Sequence, residues 1–185
     1  YIEGSSNNKA FEVHNAGPES IALDRVEVVQ GNNGGNFADS TQRNVLDPSG
    51  EESLQPGEVF VVCNGASVQE ILNVCDLIIP QLGPTLTSFN GDDSLGLFLD
   101  GALVDIIGEE GVDPGTAYTV AGVSGGTQNH TLLRRPSVSA GNPDWSSSAG
   151  TNTDDTEWDL MPSNTFEFLG AHPGRSVPEW PGVVC

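Results

Sequence analysis

The feature that most constrains the fold of this chain is a hairpin pattern in the stretch NGDDSLGLFLDGALVDIIG, residues 90–108. Leu95, Leu97 and Leu99 occupy every second position, which is the period of a strand with one buried face. Asp100-Gly101 is a dipeptide favoured in two-residue hairpin turns, and residues 103–107 return as a second apolar run. The stretch therefore predicts two antiparallel strands joined by a tight turn.

Short apolar runs separated by turn residues recur along most of the chain. Phe11 and Val13 alternate with polar neighbours, a Pro-Gly pair precedes an apolar run at 59–62, and the stretches RVEVVQ and HTLLRR have strand character. Gly and Pro account for 23 and 12 of the 185 residues, which suits a fold with many turns. We therefore predict an all-β fold, a sandwich or a barrel.

One short helix is predicted in the middle of the chain. Ser67 and Glu70 match the spacing of a capping box, and Val68, Ile71 and Leu72 follow at helical spacing. The remainder of the chain contains no comparable helical pattern.

Long polar segments divide the predicted strands. We expect loops at 31–44 and 137–155, where Gly, Asn and Ser predominate. Residues 171–185 are rich in proline and have no clear periodicity, so we expect an extended tail after a single domain of residues 1–170.

The charge of the chain restricts its partners. It contains 6 Lys and Arg against 26 Asp and Glu, a net charge of −20. Such a charge disfavours binding to nucleic acids and to anionic lipid surfaces. It is typical of solubility in salty water or outside a cell, and it also suits binding of divalent cations. In so acidic a chain, Arg134 and Arg135 are expected to meet carboxylates.

No apolar run approaches the roughly 20 residues needed to cross a bilayer, so we predict no membrane insertion. The sequence has neither an initiator Met nor a signal peptide, and we expect a processed form or a piece of a longer protein.

The three cysteines suggest an oxidising compartment. Cys63 and Cys75 flank the predicted helix, and a bridge between them would close a small loop. Cys185 is then left over, which suggests a disulfide to another chain or a partner in a missing segment. The alternative is that all three are reduced. We expect a secreted, extracellular or cell-surface protein.

Two acidic clusters and one asparagine are candidate binding or modification sites. Asp92 and Asp93 in NGDD could supply oxygen ligands to calcium, although a tight turn needs the same residues. Asp154 and Asp155 are a second calcium candidate, in a loop without EF-hand spacing. Asn129 begins the only Asn-X-Ser/Thr triplet and is a glycosylation candidate.

No motif in the chain indicates catalysis. His14, His130 and His172 lie in separate segments, and the sequence contains no nucleophile elbow, phosphate-binding loop or CxxC pair. We therefore predict that the protein is not an enzyme and needs no cofactor, apart from the calcium alternative.

Five segments together resemble the lamin tail domain in its secreted bacterial and algal form. They occur in family order across approximately residues 1–172: YIEGSSNNKAFEVHN, LQPGEVFVVCNGAS, FNGDDSLGLFLDGALVDIIGEEG, NHTLLRRPSVSAGN and EWDLMPSNTFEFLGAH. The resemblance implies an immunoglobulin-like β-sandwich without shared catalytic residues. Members of the family usually carry a few more apolar residues ahead of the YIEG equivalent, which complete the first strand.

Three functions are consistent with the sequence. The first is a non-catalytic structural or interaction module that binds other protein chains, itself included, as a homo-oligomer or filament assembled through strand edges. In that version the tail 171–185 is the donor strand, and Cys185 locks the junction. The second is an accessory domain of a secreted nuclease or phosphoesterase. The third is a calcium- or glycan-binding adhesin whose Trp145, Trp158 and Trp180 stack on sugars.

Overall fold

A computed structural model describes residues 1–172 of the chain, in which short strands predominate. The strands are β1 (Ile2–Glu3), β2 (Lys9–His14), β3 (Ile21–Ala22), β4 (Val26–Gly31), β5 (Arg43–Val45), β6 (Ser53–Leu54), β7 (Val59–Asn64), β8 (Leu77–Ile79), β9 (Ser94–Leu99), β10 (Ala102–Ile107), β11 (His130–Arg134) and β12 (Trp158–Pro162). The α-helices are α1 (Gln69–Leu72) and α2 (Trp145–Ala149), and 3-10 turns occur at Leu23–Arg25, Asn32–Gly34 and Phe37–Asp39. The prediction of a β-rich chain is confirmed.

The strands form three sheets. The largest has six strands in the order β12-β11-β1-β2-β7-β8, in which only the β7–β8 pair is parallel. The second has four antiparallel strands in the order β10-β9-β4-β5, and β3 pairs with β6 in a small third sheet. The chain thus places its first strand in the interior of the six-stranded sheet, between β2 and β11.

The hairpin predicted from the sequence is formed by β9 and β10. Asp100 and Gly101 form its turn with φ angles of 52° and 79°, and Leu99 pairs with Ala102. Positive φ at both central residues matches the twist of the flanking strands. The register shifts between Leu103 and Asp105, where the strand carries an irregularity.

The two larger sheets contribute side chains to one hydrophobic core. Phe11, Phe60 and Leu132 come from the six-stranded sheet, and Val28 and Leu95 come from the four-stranded sheet. A second cluster lies on the other face of the six-stranded sheet, where alternate residues of the same strands point. It contains Ile2, Ala10, Cys63 and Ile71, with Phe166 and Leu169 packed against it. The six-stranded sheet is therefore covered on both faces near β1.

The predicted capping box is wrong. Helix α1 begins at Gln69, and the Ser67 hydroxyl donates to the carbonyl of Asn7 instead of accepting from the helix. The backbone amide of Val68 donates to the Asn8 side chain at 3.0 Å. A residue remote in sequence thus holds the start of α1.

The sequence also missed α2, so the described residues contain two short α-helices, whereas one was predicted. Asp144 caps α2 by accepting from the amides of Ser146 and Ser147. Trp145 then buries its ring against Tyr118 and Trp158. The serines that follow gave this segment the composition of a loop.

Candidate strand-binding site

Strand β1 begins at Ile2, one residue after the start of the sequence, in the interior of its sheet. Ile2 pairs with Ala10 of β2 on one side and with Thr131 of β11 on the other. Tyr1 and Leu132 exchange two backbone hydrogen bonds, of 3.0 Å from the Tyr1 nitrogen and 2.8 Å from the Leu132 nitrogen. The neighbouring strands continue beyond Tyr1, which is the first residue of the sequence.

The result is an open position between β2 and β11, which we call the strand slot. One wall of the slot is formed by residues 11–13 of β2, whose opposite edge pairs with β7. The other wall is formed by residues 133–134 of β11, whose opposite edge pairs with β12. Among residues 1–172, no strand pairs with these walls across the slot beyond Tyr1.

A cavity of about 410 Å³ occupies the slot and the adjoining interior. Its inner lining combines Val13 and Leu132 with Leu97 and Ile106 of the opposite sheet. Phe168 and other residues of the last described segment line it on the outside. The cavity therefore extends from the core between the sheets to the outer face of the six-stranded sheet.

Backbone groups of both walls point into the slot. In an antiparallel ladder, successive residues direct their N–H and C=O groups alternately to the two neighbouring strands. Since Tyr1 and Leu132 bond to each other, the backbone of Arg134, two residues on, also faces the β1 side. The same alternation, counted from the Ile2–Ala10 pair, directs the backbone of Glu12 into the slot. The slot thus presents hydrogen-bonding groups as well as apolar surface.

An ion-pair network lies on the core side of the slot. The Arg134 guanidinium lies 2.5 Å from an Asp105 oxygen and 3.2 Å from a Glu157 oxygen, and it covers the Trp158 ring at 4.2 Å. Burial raises the pKa of Asp105, although Arg134 opposes that shift. The network joins the two sheets, because Asp105 belongs to β10 and Arg134 to β11.

The adjacent Arg135 donates to Asp159 at 2.9 Å. With the Arg134 network, this confirms the expectation that both arginines meet carboxylates.

On the outer side of the slot, Glu12 binds the last segment of the described chain. Its carboxylate accepts a 2.6 Å hydrogen bond from the amide of Gly170, and burial raises its pKa. Next to it, the rings of His14 and His172 stack at 3.9 Å. Burial lowers the pKa of His172. These contacts hold the end of the described chain across the outside of the slot.

The Tyr1 ammonium lies at the blind end of the slot. Its burial lowers its pKa from the ordinary value of 8.0 to about 6, partly opposed by the Glu12 charge. Between these two pH values the unfolded chain binds more protons than the folded chain, so the stability should rise with pH.

We expect the free energy of unfolding to increase between pH 6 and 8, as measured by urea denaturation of this chain at a series of pH values. Acetylation of the Tyr1 nitrogen removes the titrating group and should flatten this part of the profile. An equal slope in the acetylated chain would assign the pH dependence to another group.

The predicted cysteine pair is joined. Cys63 of β7 and Cys75 form a disulfide bond with their Cα atoms 6.0 Å apart. Cys63 is fully buried beneath α1, in the outer cluster of the six-stranded sheet. Cys185 and Trp180 lie outside the described residues, as does the tail beyond residue 172.

The first acidic cluster stabilises the turn in which it lies. The buried Asp93 carboxylate accepts from the Gln30 side chain and from the amides of Asn33 and Asn90, at 2.8–2.9 Å. Its pKa is raised by burial. One oxygen of the neighbouring Asp92 is buried without a hydrogen-bond partner. The interpretation of NGDD as a turn is confirmed by the hydrogen bond from the Asp93 amide to the Asn90 carbonyl.

The second acidic cluster lies on an exposed loop. Asp155 accepts from the amides of Thr151 and Asn152, and the side-chain oxygen of Asn152 accepts from the amide of Asp154. Within residues 1–172, no three His, Cys, Asp or Glu side chains converge in a way that could hold a metal ion.

The remaining predicted site residues are Asn129, Trp145 and Trp158. Asn129 is exposed with a φ of 54°, and its amide donates to the buried Glu3 carboxylate, which also pairs with Lys9. Trp145 and Trp158 are buried, so neither ring is available to stack on a sugar.

The slot residues Glu12, Val13 and Arg134 were not identified from the sequence as a site. Two signals pointed to this region: the short first strand beside the long alternating run of β2, and the resemblance to a family whose first strand starts further upstream.

The α-helices of residues 1–172 have four and five residues, too few to cross a lipid bilayer. Comparison of the chain with protein-family models, curated proteins and solved structures finds no match.

Proposed function

We propose that this protein is a non-catalytic interaction module and that the slot between β2 and β11 accepts an extended strand, either from residues ahead of Tyr1 in a longer chain or from another polypeptide. The observation that carries this proposal is the cavity of about 410 Å³ in the interior of the sheet, bounded on both sides by strand backbone. Apolar walls alone would suit many ligands, but two facing strands suit a third strand.

The energetic gain from strand addition is large for so short a contact. An incoming segment would pair with Glu12 on one side and Arg134 on the other, and each added hydrogen bond contributes about 0.5–1.5 kcal/mol. It would also bury the apolar lining supplied by Val13, Leu97 and Ile106. The two-sided pairing favours an extended peptide over a small apolar molecule.

The fold proposed for this module is the immunoglobulin-like sandwich of the lamin tail domain. It is supported by two mainly antiparallel sheets whose facing side chains share one core. The order of β11, β1 and β2 in one sheet is consistent with a first strand that belongs to its interior.

An extracellular or cell-surface location is proposed together with this function. The Cys63–Cys75 disulfide suits an oxidising compartment, and the net charge of −20 suits a protein that remains soluble there. The partner chain is a protein, and a second copy of this chain is the first to test.

Hydrogen exchange provides the direct test. In the isolated chain, the amides of Glu12 and Arg134 should exchange faster than those of Val13 and Leu133, whose backbone groups point to β7 and β12. Residue-resolved exchange measured by NMR distinguishes neighbours on the same strand. Equal protection of all four amides in the monomer would mean that the slot is closed, and the proposal would fail.

Self-association is tested on the same sample. If a second copy supplies the strand, sedimentation analysis should show oligomers as concentration rises, with slower exchange at Glu12 and Arg134. Substituting Leu97→Trp fills the cavity from the opposite sheet and should weaken association. A chain that stays monomeric at every concentration would exclude the self-assembling version.

A further inference from the structure

From the contacts of the last described segment we infer a pH-sensitive strap: residues 164–172 lie across the outer face of the six-stranded sheet, and their far end detaches when the pH falls below about 6. This inference does not depend on the proposed function, because none of the contacts that hold the strap requires a strand in the slot.

The first end of the strap is held by contacts that contain no titratable group. The side-chain oxygen of Asn164 accepts hydrogen bonds from the Ser5 amide at 2.9 Å and from the Asn8 side chain at 3.3 Å. The Thr131 hydroxyl donates to the carbonyl of Thr165 at 3.1 Å. None of these groups gains or loses a proton between about pH 5 and pH 8, so this end should remain attached throughout.

The middle of the strap covers apolar surface. Phe166 and Leu169 pack against the outer cluster, in which Ile2 and Ile71 are buried, and the Leu169 amide donates to the Phe166 carbonyl at 3.0 Å. Detachment of the strap would return part of this cluster to water. The exposed face would be an apolar patch on an otherwise strongly acidic protein.

The far end of the strap is held by two contacts, which we call the clasp. In the first, the Gly170 amide donates to the Glu12 carboxylate at 2.6 Å. In the second, the rings of His14 and His172 stack with their centroids 3.9 Å apart and their planes 7° from parallel. Neutral imidazoles can stack in this way, but two imidazolium rings at this distance repel each other. The clasp therefore responds to protons, whereas the first end of the strap does not.

The direction of the response follows from the histidine. Burial lowers the pKa of His172, and the charge of Arg134 lowers it further. The detached strap thus binds protons more readily than the attached strap, and a falling pH favours detachment. Glu12 acts in the opposite direction, because burial raises its pKa and its protonation favours the attached form. The two contributions can be separated by substitution.

Other charged groups also surround the clasp. They are Arg134 on β11, Asp76 between α1 and β8, Glu167 in the strap itself and the Tyr1 ammonium ahead of β1. The Tyr1 ammonium has a pKa of about 6 and therefore titrates in the same range as the histidines. Acetylation of the Tyr1 nitrogen removes that group, and the acid response of the strap should persist in the acetylated chain.

Residue-resolved amide exchange measured by NMR tests the strap. Between about pH 7.5 and pH 5.5, after correction for the intrinsic exchange rate, the protection of the Leu169 and Gly170 amides should fall about tenfold. The Ser5 amide, which donates to Asn164 at the first end, should keep its protection and serves as the internal control. If Ser5 loses protection together with Gly170, or if Gly170 is unprotected already at the higher pH, the inference is wrong.

The matched variant is His172→Phe, which keeps an aromatic ring beside His14 but cannot take up a proton. Its Leu169 and Gly170 amides should remain protected at the lower pH. The Glu12→Gln variant keeps an acceptor for the Gly170 amide and should retain the acid response of the original chain. An equal loss of protection in His172→Phe and in the original chain would show that the histidine pair does not control the strap, and the inference would be overturned.

Discussion

Replacing Arg134 by methionine should lower the free energy of unfolding by about 3 kcal/mol, because it removes the cation from a buried network and leaves its two carboxylates unpaired. The Arg134 side chain is only 13% exposed, and it joins Asp105 on one sheet to Glu157 beside the other. Its contact with the Trp158 ring is lost as well. Urea denaturation of the Arg134→Met variant measures the loss.

The pH dependence of this loss identifies its cause. Burial already raises the pKa of Asp105 in the intact network, and removal of Arg134 raises it further. A carboxyl group with a raised pKa in the folded state destabilises the fold when ionised, and protonation relieves that effect as the pH falls. The difference between variant and original chain should therefore shrink from pH 7 towards about pH 4, near the ordinary pKa of the group.

A surface ion pair provides the control for Arg134. Arg25 donates to Asp100 at 2.6 Å, but the two side chains are 48% and 57% exposed. The Arg25→Met variant should lose far less stability than Arg134→Met, since water screens such an exposed pair. If Arg134→Met were no more destabilising than Arg25→Met, the network would not be holding the two sheets together.

Local sequence patterns predicted the elements that depend on local interactions. The hairpin of β9 and β10 follows from apolar residues at alternate positions and a turn dipeptide that tolerates positive φ, all within one short stretch. The disulfide partners were suggested by their spacing around α1. Such features need no knowledge of the remainder of the chain.

The features that the sequence missed depend on contacts between distant residues. The Asn8 side chain holds the start of α1 by accepting a hydrogen bond from the backbone amide of Val68, 60 residues away in sequence. The slot exists because β1 lies between β2 and β11, and the Tyr1–Leu132 contact spans 131 residues. Alternation identifies a strand and its buried face, but not the strands on either side of it. An opening inside a sheet is therefore invisible to any local pattern.

The unexpected location of the slot also changes the assembly hypothesis. A short first strand was expected to leave a free sheet edge, where an added strand gains one ladder of hydrogen bonds. The structure places this gap in the sheet interior, with β2 on one side and β11 on the other. A strand there, whether from residues ahead of Tyr1 or from a partner chain, would gain a ladder of hydrogen bonds on each side and would close the core of the domain.

Removing the Cys63–Cys75 disulfide should cost about 3 kcal/mol of stability, because the bond closes a loop of 12 residues that is free in the unfolded reduced chain. For a domain of this size that loss corresponds to a decrease of about 6–12 °C in melting temperature. The double substitution Cys63→Ala and Cys75→Ala, measured by thermal unfolding beside the oxidised chain, gives the value.

The position of the disulfide predicts which residues become less protected from amide exchange when it is removed. Cys63 pairs with Ala10 of β2 and packs beside Ile2 and Ile71. The disulfide therefore holds α1 and the start of β8 against the outer face of the six-stranded sheet, next to β1. Amide exchange should accelerate most over residues 64–79 and little in the hairpin of β9 and β10, which belongs to the opposite sheet. Reduction of the original chain with dithiothreitol should reproduce both effects, because it opens the same loop without changing a side chain. If the reduced and oxidised chains unfolded at the same temperature, the constraint assigned to this bond would be absent, and α1 would be held by Asn8 and the outer cluster alone.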